Sequence, residues 1–218
     1  MASFKRWLEA RRHPWKRVAL DAVAQFKRDG ARDGKLYRYE DLPEAPVVWD
    51  VGGFEGTWTD HILSVRPAAQ VHVFEPHPRF ADALTSKFAA APGVHVHGFA
   101  VGGADGTLAL DDTGDASSAF GHTEGTLEGS VRDVAAFWHQ TGLERVDLVK
   151  MNIEGGEYDL LPAMLDAGLM QRVYRLQVQF HLFDPSLLQA RDAIRARLAE
   201  THICAWDYPF VWEEWRTR

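Results

Sequence analysis

Three short polar segments, each at the end of an apolar run, contain residue types suited to binding a charged small molecule. The first, residues 50–56, reads Asp-Val-Gly-Gly-Phe-Glu-Gly. Glycines between a buried strand and a helix let the backbone approach a ligand closely. Asp50 would repel a pyrophosphate but suits a cation such as an ammonium group. A dinucleotide-binding fingerprint needs its first glycine at position 51, which is Val51, so the segment disfavours a dinucleotide.

The second segment places Glu75 directly after the apolar run 71–74, roughly 20 residues beyond the glycines. An acid at that position can accept hydrogen bonds from both hydroxyl groups of a ribose. The alternative is a solvated carboxylate at the end of a strand. Together the two segments indicate an adenosine-like ligand that lacks a diphosphate.

The third segment, residues 146–157, is an apolar run that ends in Asn152, Glu154, a glycine pair and Glu157. The two glutamates could serve as acid and base groups or bind a metal. They could also simply favour the start of the following helix through its dipole. For Glu157 the helix-start interpretation is at least as well supported as a catalytic one.

The elements that must position these segments follow from the hydrophobic pattern, in which strand-length apolar runs alternate with amphipathic helix-length runs from residue 47 onward. This alternation predicts an α/β fold, a Rossmann-like doubly wound and mostly parallel sheet with helices on both faces. Strands are predicted at 47–51, 71–74, 94–101, 107–110, 146–153 and 173–182, with an antiparallel closing pair at 202–206 and 211–215. Helices are predicted at 57–65, 77–90, 131–140 and 157–165, and after Asp184-Pro185. Ligands are expected at the carboxyl ends of the strands.

One long segment, residues 111–130, is rich in Gly, Ser, Thr and Asp and shows little periodicity. It is predicted to be a surface loop. Because it would leave the sheet near the expected ligand crevice, it is a candidate lid over the acceptor, with Ser117, Ser118 and His122 as its polar residues.

Five motifs together resemble a known family: residues 50–53 (DVGG), 74–76 (FEP), 98–102 (GFAVG), 105–107 (DGT) and, above all, 147–157 (DLVKMNIEGGE). They are similar, in the same order, to the FkbM-type S-adenosylmethionine-dependent methyltransferases. The similarity extends from about residue 47 to His181. The resemblance implies a class I methyltransferase domain over residues 41–218 and S-adenosylmethionine as the cofactor. It also implies methyl transfer to a hydroxyl group of a sugar, a polyketide or another natural product.

The resemblance also implies roles for individual residues. Asp50 and Gly52 would lie against the methionine part of the cofactor, Glu75 on its ribose, and Phe99 and Ala100 beside its adenine. The cofactor-binding set is Asp50, Gly52, Gly53, Phe74, Glu75, Pro76, Phe99, Ala100 and Asn152.

Methyl transfer to a hydroxyl group needs a base, because the pKa of a hydroxyl is far above neutrality. His181, at the carboxyl end of the predicted strand 173–182, is the imidazole best placed to accept the proton, with Glu154 orienting it or the substrate. The alternative is a histidine that only hydrogen-bonds its neighbours. The predicted catalytic set is His181, Glu154 and Asn152.

Three departures from the family pattern keep other functions open. Phe54 stands where the family commonly has Asn, Asn152 replaces the usual Asp, and Gln179 replaces a frequent Glu. One alternative is therefore a weak or inactive protein that binds S-adenosylmethionine. A second, an NAD-type oxidoreductase, is disfavoured by the missing glycine at position 51. No metal site is predicted: Asn152 weakens one in the third segment, and the histidines at positions 72, 95 and 97 more often lie on an exposed or packed face.

Charge is distributed unevenly along the 218 residues. The net charge is −7, yet residues 1–36 carry ten Lys or Arg and four acids, so the remainder carries −13. The acidic total argues against general binding of nucleic acid. Residues 1–40 are predicted to form a basic helical arm. The arm could contact an anionic membrane or a lipid-linked acceptor, pack against another subunit, or remain solvated.

The remaining composition bounds the class of protein. The hydrophobic fraction is 46% and the charged fraction 25%, as in ordinary soluble domains. No apolar run approaches the roughly 18–20 residues of a membrane span, and the N-terminus is too basic for a secretory signal. A lone cysteine, Cys204, favours a reducing compartment, so a cytoplasmic protein that acts on a small-molecule or glycan acceptor is expected.

Overall fold

The computed structural model describes residues 11–110 and 127–218. The α-helices of these residues are α1 (Arg17–Arg28), α2 (Thr57–Val65), α3 (Pro78–Lys87), α4 (Val134–Thr141), α5 (Glu157–Asp166) and α6 (Ser186–Leu198). Shorter helical turns are Pro14–Lys16, Arg32–Leu36 and Leu169–Arg172. The strands are β1 (Val47–Val51), β2 (Gln70–Phe74), β3 (Val94–His97), β4 (Ala100–Gly102), β5 (Gly106–Leu110), β6 (Leu127–Asp133), β7 (Leu148–Met151), β8 (Arg175–Val178), β9 (His202–Tyr208) and β10 (Trp212–Thr217).

Seven of these strands form the main sheet, in the order β3-β2-β1-β7-β8-β10-β9. The first five run parallel, and β10 pairs antiparallel with both β8 and β9. The chain order reverses between β1 and β7, which brings the carboxyl ends of these two strands to one crevice. The predicted α/β fold, its mostly parallel sheet and its antiparallel C-terminal pair are confirmed.

Both faces of the central strands are buried, as the apolar runs require. In β1, Val48 contributes to the core on one side of the sheet, while Trp49 and Val51 contribute to the core on the other side. The neighbouring strand β7 alternates in the same way, with Leu148 on the first side and Val149 on the second. Side chains alternate across a strand, so continuous apolar runs of this kind place helices over both faces.

A small second sheet, in the order β4-β6-β5, corrects three sequence predictions. The predicted strand 94–101 is broken after His97, because Phe99 turns into the core and the chain then pairs with β6. The predicted loop 111–130 ends in strand at residues 127–130, and the helix predicted at 131–140 begins only at Val134. Asp133 sets that start, since its Oδ1 accepts a hydrogen bond from the backbone N–H of Ala136 at 2.7 Å. The remainder of the predicted lid, residues 111–126, lies outside the described residues, and so do Ser117, Ser118 and His122.

The described part of the basic N-terminal segment packs against the C-terminal strands of the same chain. Ala22 of α1 and Ala31 are buried in a cluster with Tyr208 of β9. The Tyr208 hydroxyl donates to Asp29 Oδ2 at 2.8 Å and accepts from Lys35 Nζ at 3.0 Å. The apolar side of α1 therefore faces the protein, and its exposed side carries charged residues such as Arg17, Lys27 and Arg28.

Within residues 11–110 and 127–218, no helix has the length and apolar character that crossing a membrane requires.

Candidate active site

A cavity of about 470 Å³ opens at the carboxyl ends of β1, β2 and β7. Its size falls within the range of small-molecule sites. Its lining comprises Val51, Gly52, Phe54, Phe74, Glu75, Pro76, Phe80, Ala100, Val101, Gly102, Leu108, Val131, Asn152, Ile153, Glu154, Gly156 and Asp159. The structure thus brings parts of all three polar segments of the sequence to one cavity.

The turn after β1 depends on glycine at position 52. Gly52 has φ +88°, and a Cβ there would lie 2.1 Å from the backbone oxygen of Asn152. Only glycine permits this approach, which brings the chain after β1 against the chain after β7. Lys150 Nζ fixes the turn by donating to the Gly52 carbonyl and to Asp50 Oδ1, both at 2.8 Å.

Asp50 lies behind this turn and not in the lining of the cavity. Its side chain is fully buried, and it accepts hydrogen bonds from Lys150 and, at 2.7 Å, from Thr59 Oγ1. Asp50 and Lys150 are register partners on neighbouring strands, so their ion pair links β1 to β7. In this structure the side chain of Asp50 supports the glycine turn through Lys150, which also donates to the Gly52 carbonyl.

Glu75 lies in the lining, where the sequence analysis expects a group for a ribose. Its Oε2 accepts from the backbone N–H of Phe54 at 2.8 Å, and its Oε1 accepts from that of His77 at 2.9 Å. Burial raises the pKa of Glu75 above its ordinary value, while these two hydrogen bonds act in the opposite direction. Each carboxylate oxygen keeps a second lone pair, so both can still accept a hydroxyl group.

Asn152 lies between the glycine turn and Glu154 in the lining. Its Oδ1 is buried and has no hydrogen-bond partner among the described residues. A buried acceptor without a partner is costly, and a bound donor would remove that cost. The side-chain oxygen of Asn152 is therefore suited to an ammonium or hydroxyl group of a ligand.

Glu154, His181 and Glu157 form a cluster at the edge of the cavity. His181 Nε2 lies 3.3 Å from Glu154 Oε1, and His181 Nδ1 lies 3.1 Å from Glu157 Oε1. Burial by itself lowers the pKa of His181, but hydrogen bonds and charge attraction from the two glutamates outweigh it and raise the pKa to about 9. The imidazole is therefore protonated at neutral pH.

Two residues of the lining have a left-handed backbone that side chains rarely adopt. Phe54 has φ +48° and Glu154 has φ +47°. Such a conformation costs an L-residue about 1–2 kcal/mol, and strain of this kind is concentrated at functional sites. Phe54 stands where the family commonly has Asn, a residue that tolerates this backbone, and its ring lies 4.6 Å from that of Phe80.

Not every predicted residue reaches the cavity. Gly53 packs beneath it, where a Cβ would lie 2.4 Å from Val73 Cγ1. Phe99 lies in the core, with its ring 5.6 Å from Phe137, while the following Ala100 lies in the lining. His181 stands behind Glu154 and is absent from the lining residues given above.

Several residues that line the cavity were not predicted from the sequence. Phe80, Leu108 and Val131 come from elements whose position depends on the tertiary fold. Asp159 also lines the cavity, and its Oδ2 accepts from the backbone N–H of Gly103 at 2.8 Å. The sequence did contain one signal for Asp159. It is an acid in the first turn of a predicted helix, two residues after Glu157.

Histidines 72, 95 and 97 come together on β2 and β3, outside the cavity. His72 Nδ1 lies 3.0 Å from His97 Nε2, and the two rings are stacked. Burial, together with the neighbouring histidines, lowers the pKa of both His72 and His97 to about 4. These two imidazoles are therefore neutral at pH 7.

Comparison with known proteins decides the family. The family model described as the methyltransferase FkbM domain matches residues 50–201. The chain belongs to the FkbM methyltransferase family. S-adenosylmethionine is the cofactor of this family, and the chain has the class I methyltransferase fold.

Two curated relatives give the range of similarity. The hexuronic acid methyltransferase AglP of Haloferax volcanii is 27% identical over 155 residues, which cover 70% of this chain and 63% of that protein. The 2-O-methyltransferase NoeI of Sinorhizobium fredii is 24% identical over 136 residues, which cover 53% of this chain and 56% of that protein. The chain thus spans less than two thirds of the length of either relative.

A solved structure supports the fold. The methyltransferase FkbM from Methylobacillus flagellatus superposes with a TM-score of 0.55 at 15% identity, over 79% of this chain and 44% of that chain.

The lining residues fit S-adenosylmethionine. Its ribose requires hydroxyl acceptors, which Glu75 offers, and its ammonium group requires an acceptor such as the unpartnered Oδ1 of Asn152. Phe74, Pro76 and Ala100 add apolar surface to the lining, as the adenine ring requires. The charged side chains among the lining residues given above are all acids, which suits a cofactor with a positively charged sulfur.

Proposed function

We propose that this protein transfers a methyl group from S-adenosylmethionine to a hydroxyl group of a sugar or natural-product acceptor. The observation that carries the proposal is a cavity whose lining joins Glu75, Asn152 and Glu154. The names of the two curated relatives, a hexuronic acid methyltransferase and a 2-O-methyltransferase, support a sugar hydroxyl as the acceptor. The activity is assigned to residues 41–218, which include the family match at 50–201, with the basic segment 1–40 outside it.

Cofactor binding is assigned to the residues that line the cavity and to those that hold them in place. Glu75 would bind the two ribose hydroxyls, and Asn152 would accept a hydrogen bond from the methionine ammonium group. Gly52 lets the chain after β1 approach closely, while Asp50 and Lys150 hold its turn. When bound, S-adenosylmethionine supplies a methyl group on a positively charged sulfur.

Proton transfer is assigned to Glu154 because this carboxylate lies in the lining. Glu154 would accept the proton of the acceptor hydroxyl as its oxygen bonds to the methyl carbon. The bond from that carbon to sulfur would break at the same time, and its electron pair would stay on sulfur, leaving neutral S-adenosylhomocysteine. His181 is already protonated at neutral pH and stands behind Glu154, so its role is to hold the carboxylate in place. This assignment exchanges the roles that the sequence analysis gives to His181 and Glu154. Asn152, whose amide does not take up a proton, is assigned to binding.

Labelled methyl transfer tests the proposal. The purified protein is incubated with S-adenosylmethionine carrying a labelled methyl group and a panel of neutral sugars, uronic acids and oligosaccharides, and labelled products are mapped by mass spectrometry. We expect an O-methylated product. Labelled carbon or nitrogen positions, or cofactor binding without any methylated product, would contradict the proposal.

Substitution of Glu154 separates chemistry from binding. Glu154→Gln should lower kcat by about 100-fold or more, since it removes the proton acceptor, and should leave the affinity for S-adenosylmethionine within about twofold. The matched control is Glu144→Gln, because Glu144 is exposed and is not a lining residue. Equal loss of kcat in both variants, or none in Glu154→Gln, would exclude Glu154 as the proton acceptor.

A further inference from the structure

Glu157 makes contacts that a residue at a helix start does not need. Its side chain is fully buried at the first position of α5. Oε2 accepts from the backbone N–H of Gly155 at 2.9 Å. Oε1 accepts from the backbone N–H of His181 at 2.7 Å and lies 3.1 Å from His181 Nδ1. One carboxylate thus joins the turn after β7 to the chain that follows β8.

These contacts hold Glu154 from two sides. On one side, Glu157 holds Gly155, the residue that directly follows Glu154 in the left-handed turn, where the φ angles are +47° and +104°. On the other side, its hydrogen bond to Nδ1 fixes the ring of His181 so that Nε2 faces Glu154. Without Glu157, the backbone next to Glu154 would lose the hydrogen bond at Gly155, and the side chain of Glu154 would lose a fixed His181 ring.

Electrostatics supports the same role. A buried carboxylate is costly unless a positive charge compensates it, and the His181 imidazolium is that charge. The titratable groups in hydrogen-bond contact with His181 are Glu154, Glu157 and Tyr158, whose hydroxyl donates to the His181 carbonyl at 2.7 Å. Of these, Glu157 is the fully buried one, so its charge acts on the ring with the least screening by solvent.

We propose that Glu157 is a positioning residue, which orients His181 and thereby fixes Glu154 for proton acceptance. The inference rests on the proposed function, since it concerns the group to which that function assigns the proton. It extends the site to a carboxylate that does not line the cavity.

The experiment titrates the His181 ring by NMR in the wild-type protein and in Glu157→Gln, with the signal assigned by its loss in His181→Asn. The wild-type ring should titrate near pH 9, and the Glu157→Gln ring at least about one pH unit lower. In Glu157→Gln, kcat should fall about tenfold or more while the dissociation constant of S-adenosylmethionine stays within about twofold. Glu144→Gln, at the exposed site, should leave both the titration and kcat unchanged.

If the Glu157→Gln variant does not fold, the Glu154→Gln variant decides. Its His181 should still titrate well above 6.5, because Glu157 remains, and a titration near 6.5 in this variant or in the wild type would overturn the inference. Unchanged His181 titration in a folded Glu157→Gln variant would overturn it as well. A shifted His181 in a protein that methylates no acceptor would instead refute the proposed function alone.

Discussion

Replacement of Gly52 by alanine tests how the cavity is built. The new Cβ would lie 2.1 Å from the backbone oxygen of Asn152, where no flexible side chain can move aside. The residue would also keep φ near +88°, a region that L-residues rarely adopt. The turn after β1 and the chain after β7 must then move apart, and both carry cavity residues.

The magnitude follows from two costs. A left-handed backbone costs an alanine about 1–2 kcal/mol, and a clash that shifts the backbone adds about 1–3 kcal/mol. Gly52→Ala should therefore lower the free energy of unfolding by about 2–5 kcal/mol. The affinity for S-adenosylmethionine should fall about tenfold or more, because the shift displaces Asn152.

Gly142→Ala is the matched control. Gly142 has a similar φ of +67°, but a Cβ there meets no atom within 4 Å. This variant should lose only the backbone cost of about 1–2 kcal/mol and keep the wild-type affinity. Urea denaturation measures the stabilities, and isothermal titration calorimetry measures the affinities. The close approach at this turn would be refuted if the Gly52→Ala variant were as stable as Gly142→Ala and bound the cofactor with wild-type affinity.

Two further predictions concern buried charge. Asp50→Asn leaves the buried ammonium of Lys150 without its ion-pair partner and should lower the free energy of unfolding by about 3 kcal/mol in urea denaturation. The control is the exposed ion pair of Asp60 with Lys87. Asp60→Asn should lower the free energy of unfolding by less than about 1 kcal/mol, and equal losses in the two variants would contradict the prediction. Because the pKa values of His72 and His97 are lowered to about 4, the unfolded chain binds more protons than the folded one below pH 6.5. The contribution of these two histidines to the free energy of unfolding should therefore fall by about 2 kcal/mol between pH 7 and pH 5, after allowance for their partial exposure. A double variant of both to glutamine should lose this contribution, measured as the difference in pH dependence from the wild-type protein. A double variant with the full wild-type dependence would show that other groups cause it.

Much of the fold and part of the site could be predicted from the sequence because they follow from local pattern. Apolar runs fix which segments are buried strands, and the carboxyl ends of parallel strands meet at one edge. Glu75 and Asn152 could be placed in the cavity by this argument alone. Strand β6 was missed because its apolar residues alternate with polar ones over only seven positions, between a turn-rich segment and a helix.

The rest of the site depends on contacts that no local pattern contains. The ion pair of Asp50 with Lys150 is one such contact, since it follows from the register of β1 with β7. His181 was expected to accept the proton, with Glu154 orienting it or the substrate. The second carboxylate at its ring, that of Glu157, lies on a helix 24 residues earlier in the chain and was not expected there. Such pairings are set by packing between elements.

The most direct test of the central claim is calorimetric titration of S-adenosylmethionine into the wild-type protein and into Glu75→Gln, with Glu128→Gln as a control at an exposed position. We expect one site per chain and wild-type affinity in Glu128→Gln. In Glu75→Gln we expect the affinity to fall about tenfold or more, because the amide group cannot accept both ribose hydroxyls. No binding to the wild-type protein, or equal affinity in all three proteins, would contradict the central claim.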